Sequence, residues 1–107
     1  MSTLPGPESV GEPARARLDD VIHSPVRLTV VSALAGTDEA EFAAVRDAVE
    51  ISDSQLSKAV AVLEQAGYVV VRKGYVGKRP RTWLRLSDEG RAALAAHLAA
   101  LRTIAGL

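Results

Sequence analysis

At Gly67 the apolar pattern of this chain changes period, from the roughly 3.6-residue recurrence of an amphipathic helix to the alternation of strands. That one switch divides the fold into a helical body and a hairpin. Tyr68 to Lys73 and Thr82 to Leu86 are rich in β-branched and aromatic residues, and Gly74, Gly77 and Pro80 between them supply turn chemistry, which predicts a projecting ribbon over about 68–86 with a long tip. The ribbon carries Arg72, Lys73, Lys78, Arg79, Arg81 and Arg85, nearly half of the 13 Lys and Arg residues, and no acid. The formal net charge of the chain is zero, so this is a local excess: one strongly positive edge on a neutral molecule. Such an edge attracts phosphate whatever the total charge. The competing explanation is edge protection, since cations on an exposed strand discourage aggregation.

The body before the switch reads as helices. Residues 1–16 contain Pro5, Pro7, Pro13, Gly6 and Gly11 with few large apolar groups, a composition that predicts a flexible tail. Leu18, Val21 and Ile22 then suit one short helical turn. Ser24 and Pro25 form an N-cap followed by proline at the first helical position, opening a helix to about Ala35 that Gly36 ends. Its Val26, Leu28, Val30, Val31 and Leu34 are apolar over more than one face, which implies burial on several sides. After the polar turn Thr37-Asp38-Glu39, residues Ala40 to Phe42 suit either a very short strand or a helix start, and a second helix runs to about Val49 with Phe42, Val45 and Val49 on one face. Ser52 with Gln55 three positions later matches a capping box and starts a third helix over about 53–66. Leu56, Val60 and Leu63 form its core stripe; Ser54, Gln55, Ser57, Lys58 and Ala61 lie away from it. Beyond the ribbon, Ser87-Asp88-Glu89 caps a last helix over about 88–105, with carboxylates where the helix dipole favours them. The expected fold class is mainly α with a small β-hairpin, one domain from about residue 17 to 107.

Composition removes several functions. With no cysteine there is no disulfide framework, thiolate metal site or thiol nucleophile. His23 and His97 are isolated and make a poor ligand set, so no metal and no cofactor is expected. No nucleophile elbow, glycine-rich phosphate loop or HExxH-type site occurs, and Gly74-Tyr75-Val76-Gly77 is too short to cradle a nucleotide, which argues against an enzyme. No apolar run approaches the ~18 residues of a membrane span, and the first residues show no basic segment followed by an apolar one. The expectation is a soluble, cytoplasmic protein without a membrane partner.

Helix, short turn, helix, then a two-stranded ribbon is an order that places the third helix at a steep angle, so that its N-terminal half fits a major groove about 12 Å wide. With Val26-Arg27-Leu28 in the first long helix, Ser54 to Tyr68 ending in Leu63-Glu64-Gln65-Ala66-Gly67-Tyr68, and Gly77 to Gly90 ending in Leu86-Ser87-Asp88-Glu89-Gly90, the chain resembles the small winged helix-turn-helix transcriptional regulators of the MarR and ArsR kind over roughly residues 18–107. The resemblance implies that the third helix reads bases, that the wing grips phosphate or the minor groove, and that terminal helices form a homodimer. It departs from those families in lacking the cysteine-rich metal site of many ArsR proteins and the extra helices that help form a ligand pocket in typical MarR proteins. A small-molecule effector therefore has no support in the residues.

The candidate DNA-binding residues are Ser54, Gln55, Ser57 and Lys58 on the third helix and Arg72, Lys73, Lys78, Arg79 and Arg81 on the ribbon. Gln55 has two uses, bidentate pairing with adenine or capping its own helix, and both cannot hold fully at once. Trp83 suits packing at the root of the ribbon better than stacking on a base. Leu94, Leu98, Leu101 and Ile104 recur at spacings of four and three along the last helix and are the expected dimer interface, which a small core would welcome. The expected function is a sequence-specific double-stranded DNA-binding regulator, a homodimeric repressor. The alternative is a protein-interaction module whose wing meets an acidic partner, favoured by a third helix with one lysine and no arginine.

Overall fold

The computed structural model describes residues 12–107. Its elements are a 3-10 helix Ala14–Arg17, helix α1 Pro25–Ala35, strand β1 Ala40–Glu41, helix α2 Phe42–Ala48, helix α3 Asp53–Gln65, strands β2 Val69–Val76 and β3 Arg79–Leu86, and helix α4 Asp88–Ala105. The fold is α+β, as the pattern of periods implies. Of the expected tail, residues 1–11 lie outside the described residues. The remainder differs from expectation, because Ala14–Arg17 winds into a 3-10 turn laid against α4.

Helices α1, α3 and α4 each begin at a serine cap, whereas α2 starts after Glu41 without one. Ser24 accepts the Arg27 N–H, Ser52 that of Gln55 and Ser87 that of Gly90. Helix α1 is the central member: Val30, Val31 and Leu34 are fully buried against Leu56 and Leu63 of α3, Leu84 of β3 and Ile22 of the preceding turn. Residues Ala40 to Phe42 adopt both of the structures open to them. Ala40 and Glu41 pair with Leu84 and Trp83, and α2 starts at Phe42. The sheet accordingly has three antiparallel strands in the order β1-β3-β2, one more than the hairpin alone. The hairpin register pairs Val69 with Leu86 through to Val76 with Arg79, leaving a two-residue tip in which Gly77 takes φ 62°, open to a residue without a side chain.

Side chains alternate across the ribbon. Val69, Val71, Leu84 and Leu86 face the body and join the core, whereas Arg72, Trp83 and Arg85 face outward. The last helix contributes Leu94 to the same core, 7% exposed, with Leu98 packed against it. This corrects the expectation for the leucine stripe: Leu94 is committed to the core of its own chain, because α4 returns across the body after Gly90 instead of standing away from it. Leu101 is half-buried and Ile104 is 50% exposed, so the stripe becomes available only in its last two turns.

Candidate nucleic-acid interface

Helix α3 is held at both ends. At its start a reciprocal capping box joins Ser52 and Gln55: Ser52 N–H donates to Gln55 Oε1 at 3.0 Å and Gln55 N–H to Ser52 Oγ at 3.1 Å. Arg46 of α2 donates to Asp47 and, at 2.8 Å, to Asp53 in the first turn of α3, pinning the angle between the two helices. The guanidinium holds the Asp47 carboxyl below its ordinary pKa, mainly through that hydrogen bond. At the other end Tyr68 N–H reaches back to Leu63 C=O and Gly67 N–H to Glu64 C=O, both at 2.9 Å, with Gly67 at φ 81°. This is a Schellman closure, which needs a left-handed residue at that position.

Two of the three sequence segments that carry the family resemblance, the one ending at Tyr68 and the one ending at Gly90, turn out to form one joint. Ser87 Oγ donates to Gly67 C=O at 2.6 Å and accepts from Gly90 N–H at 3.0 Å, while Ser87 N–H donates to Tyr68 C=O at 2.9 Å. A Cβ on Gly90 would lie 2.4 Å from the Tyr68 carbonyl oxygen and 2.7 Å from Leu86 Cδ1. Ala66-Gly67-Tyr68 and Leu86-Ser87-Asp88-Glu89-Gly90 therefore dock the end of α3, the base of the wing and the start of α4 onto one another. From α4, Arg91 donates to the carbonyls of Ala35 and Thr37, satisfying the open end of α1.

With its core stripe buried, α3 exposes Ser54, Ser57, Lys58, Ala61 and Gln65. Ser57 and Glu64 on the flank toward the wing share an open groove of about 610 Å³ with Lys73 and Thr82 on the inward face of the ribbon, floored by Phe42, Val60, Val71 and Leu84. Lys78 and Arg79 stand at the exposed tip beside Tyr75 and Val76, which are 73% and 57% exposed. Gln55 differs from the other α3 candidates in that its amide oxygen is engaged in the cap; with Lys58 it borders the opposite flank of the helix, beside Val26 and Arg27.

The outer face of the ribbon revises the charge reading. The window 68–86 contains no acid, but β1 brings Glu39 and Glu41 against it. Arg72 donates to both oxygens of Glu39, at 2.7 and 3.0 Å, and its Cζ lies 4.1 Å over the Trp83 ring. Arg81 pairs with Glu41. The Arg72 hydrogen bond holds the Glu39 carboxyl below its ordinary pKa. Trp83 spreads over Gly74, where a Cβ would come within 3.1 Å of the indole, so the glycine is what lets the ring lie flat on the strand. Sequence reasoning missed both carboxylates because their proximity is created by a two-residue strand distant along the chain, Glu39 lying 33 residues before Arg72. The only signal was Glu39 and Glu41 flanking a β-compatible alanine.

Among the described residues no group of three or more His, Cys, Asp or Glu side chains is gathered as for a metal ion, and no helix is long and apolar enough to cross a membrane.

Residues 26–105 match the family model of the winged helix DNA-binding domain. The chain is 26% identical over 73 residues to the uncharacterized protein MJ0432 of Methanocaldococcus jannaschii, covering 68% of this chain and 79% of that protein. Its fold is similar to a transcriptional regulator homologue from Pyrococcus horikoshii OT3, with TM-score 0.75, 26% identity and coverage of 80% of this chain and 85% of the other. It is also similar to the transcriptional repressor BigR from Xylella fastidiosa, with TM-score 0.61, 28% identity and coverage of 84% and 81%. A capped helix presented beside a cationic hairpin, a joint built from the end of one and the base of the other, and a match running from α1 to the end of α4 agree on one assignment: the chain belongs to the winged helix DNA-binding domain family of transcriptional regulators.

Proposed function

We propose that this protein is a cytoplasmic homodimeric repressor that binds a pseudo-palindromic double-stranded DNA site. The observation that carries the reading is the shared groove: Ser57 on the flank of α3 and Lys73 and Thr82 on the inner face of the wing line one concave side of the molecule, with Lys78 and Arg79 exposed at the wing's tip. Ser54, Ser57 and Lys58 would meet base edges or phosphates in the major groove, and Lys73, Lys78 and Arg79 the flanking backbone. Arg72 and Arg81 serve chiefly to seat the wing on β1 and reach phosphate only by exchanging Glu39 and Glu41 for it. Two copies meeting through Leu98, Leu101 and Ile104 would set two α3 helices in successive major grooves about 34 Å apart. Repression by occlusion is supported by the similarity to a protein described as a repressor.

The test is a binding titration across salt. Three to five phosphates neutralised per subunit corresponds to a slope of log K against log salt of roughly −5 to −9 for the dimer. A near-flat slope removes DNA as the main partner. It would favour the second reading, an acidic protein partner, for which the neutralised Arg72 and Arg81 and the single Lys58 on α3 are the supporting observations.

A further inference from the structure

One carboxylate fastens the segment before α1 to the rest of the fold. Asp19 Oδ1 accepts the N–H groups of Val21 and Ile22 at 2.9 and 3.2 Å, Oδ2 accepts the Tyr68 hydroxyl, and Asp19 N–H donates to Nδ1 of His97 at 3.0 Å. The turn before α1, the residue that completes the Schellman closure of α3, and α4 therefore meet at a single residue, the first two at its carboxylate and α4 at its backbone N–H. Arg27 grips the turn from α1, donating to Val21 C=O and Asp20 C=O. The contact with Asp19 also pushes the Tyr68 phenol up to about 12.

His97 is the one buried polar side chain of the described core, 0% exposed. Because Nδ1 accepts a hydrogen bond, the neutral ring carries its proton on Nε2, and Nε2 has no hydrogen-bond partner among the described residues. A second proton must go to Nδ1, where the Asp19 N–H already points. Imidazolium and the Asp19 bond exclude each other. The charged and titratable groups about the ring are His23, with ring centroids 5.3 Å apart, and Asp19, whose carboxylate is already engaged by three donors; Tyr68 and Arg27 stand behind them. Burial, then the neighbouring His23, hold His97 below its ordinary pKa against the opposing pull of Asp19.

We propose that Asp19 is a positioning residue for the DNA-contacting helix, acting through Tyr68, and that His97 is an acid-operated release for this clasp. The role in DNA contact rests on the reading of α3 given above; the clasp itself does not. Protonation of His97 frees residues 12–23 from α4 and withdraws the carboxylate that holds Tyr68 at the end of α3. For a group whose folded pKa is depressed, the stabilisation is complete above the unfolded value, about 6.5 for histidine, and is lost as pH falls through the folded value.

The experiment is an NMR titration of the full-length protein from pH 8 to 5, following the His97 ring nitrogens, the Asp19 amide and hydrogen exchange at Val21 and Ile22. The expected result is a His97 midpoint below about 6.5, an Asp19 amide that moves with the same midpoint, and protection at Val21 and Ile22 that falls by up to about tenfold per pH unit below it. His97 titrating while the Asp19 bond persists, or remaining neutral while protection is lost, overturns the clasp. DNA affinity is then measured at pH 7.5 and 5.5 for the wild type, His23→Gln and His97→Asn, the last keeping an acceptor near the Nδ1 position without a titrating group. Loss of affinity on acidification in the wild type and His23→Gln, but not in His97→Asn, supports the positioning role. A clasp that opens with unchanged affinity overturns that role. Absence of DNA binding at every pH strikes the reading of α3 instead, and leaves the NMR result to decide the clasp.

Discussion

Replacing Gly90 with alanine separates two opposed effects whose sizes are set by the structure. Gly90 lies in the first turn of α4, where alanine gains about 1 kcal/mol of helix propensity at most. Against this, the new methyl group would sit 2.4 Å from Tyr68 O and 2.7 Å from Leu86 Cδ1. Neither neighbour retreats cheaply. The Tyr68 carbonyl accepts the Ser87 N–H at 2.9 Å and precedes β2, and Leu86 is 3% exposed in the core. Overpacking of this kind costs about 1–3 kcal/mol, and a backbone hydrogen bond stretched to relieve it costs about 1 more. The expected net change is a destabilisation of about 1–3 kcal/mol, or roughly 4–8 °C in Tm for each kcal/mol in a domain of this size. Urea unfolding at fixed protein concentration, followed by the fluorescence of Trp83, the single tryptophan, gives the value directly. Ala95→Gly on the exposed face of α4 measures the propensity effect alone, about 1 kcal/mol in the opposite exchange. A Gly90→Ala protein as stable as the wild type, or more so, refutes the claim that the two family segments meet in a close-packed joint.

Other substitutions address the interface. Lys78→Ala and Arg79→Ala should each weaken binding to all duplexes alike and shorten the salt slope by about one unit per lost phosphate contact, read from titrations on operator and random DNA. Gln55→Ala should lower stability by about 0.5–1.5 kcal/mol through loss of the bond from Ser52 N–H to the Gln55 amide oxygen and reduce operator and random binding in equal proportion; a selective loss of about 1–3 kcal/mol at one base pair would show that the amide leaves its cap to read adenine. Glu39→Gln should release Arg72 and raise affinity for random DNA at low salt, and unchanged affinity would mean that the outer face of the wing never approaches phosphate. Ile104→Asp should shift the sedimentation of the protein from dimer to monomer at micromolar concentration while leaving its fold intact, whereas Leu94→Asp should unfold the subunit itself.

The order of elements was legible in the sequence because most are bounded by residues with one strong local preference. Ser24-Pro25, Ser52 with Gln55, Gly67 and Ser87 are caps whose geometry depends on neighbours within five positions, and the structure places a helix end at each. What was not legible came from contacts distant along the chain. Leu94 has the same spacing to Leu98 as a dimer seam would give it, and only the return of α4 over the body makes it core. His97 reads as an isolated histidine until the turn at Asp19, 78 residues earlier, supplies the donor to its ring.

Charge shows the same division, with a consequence for function. A window of sequence counts the cations that adjoin one another along a strand, whereas a phosphate meets those that share a face. Alternation along β2 sends Arg72 outward and Lys73 inward, and pairing with β1 sets Glu39 and Glu41 against the outward set. Arg72 and Arg81 are thereby spent largely on fixing the wing, by ion pairs and by the stack of Arg72 on Trp83, while Lys73 lines the groove and Lys78 and Arg79 stand exposed at the tip. Since exposed ion pairs contribute little to stability, this arrangement is better understood as orientation than as strength. A wing held at one angle delivers its remaining cations to a fixed distance from α3, and that distance is what a protein must hold constant to grip backbone and read bases at the same time.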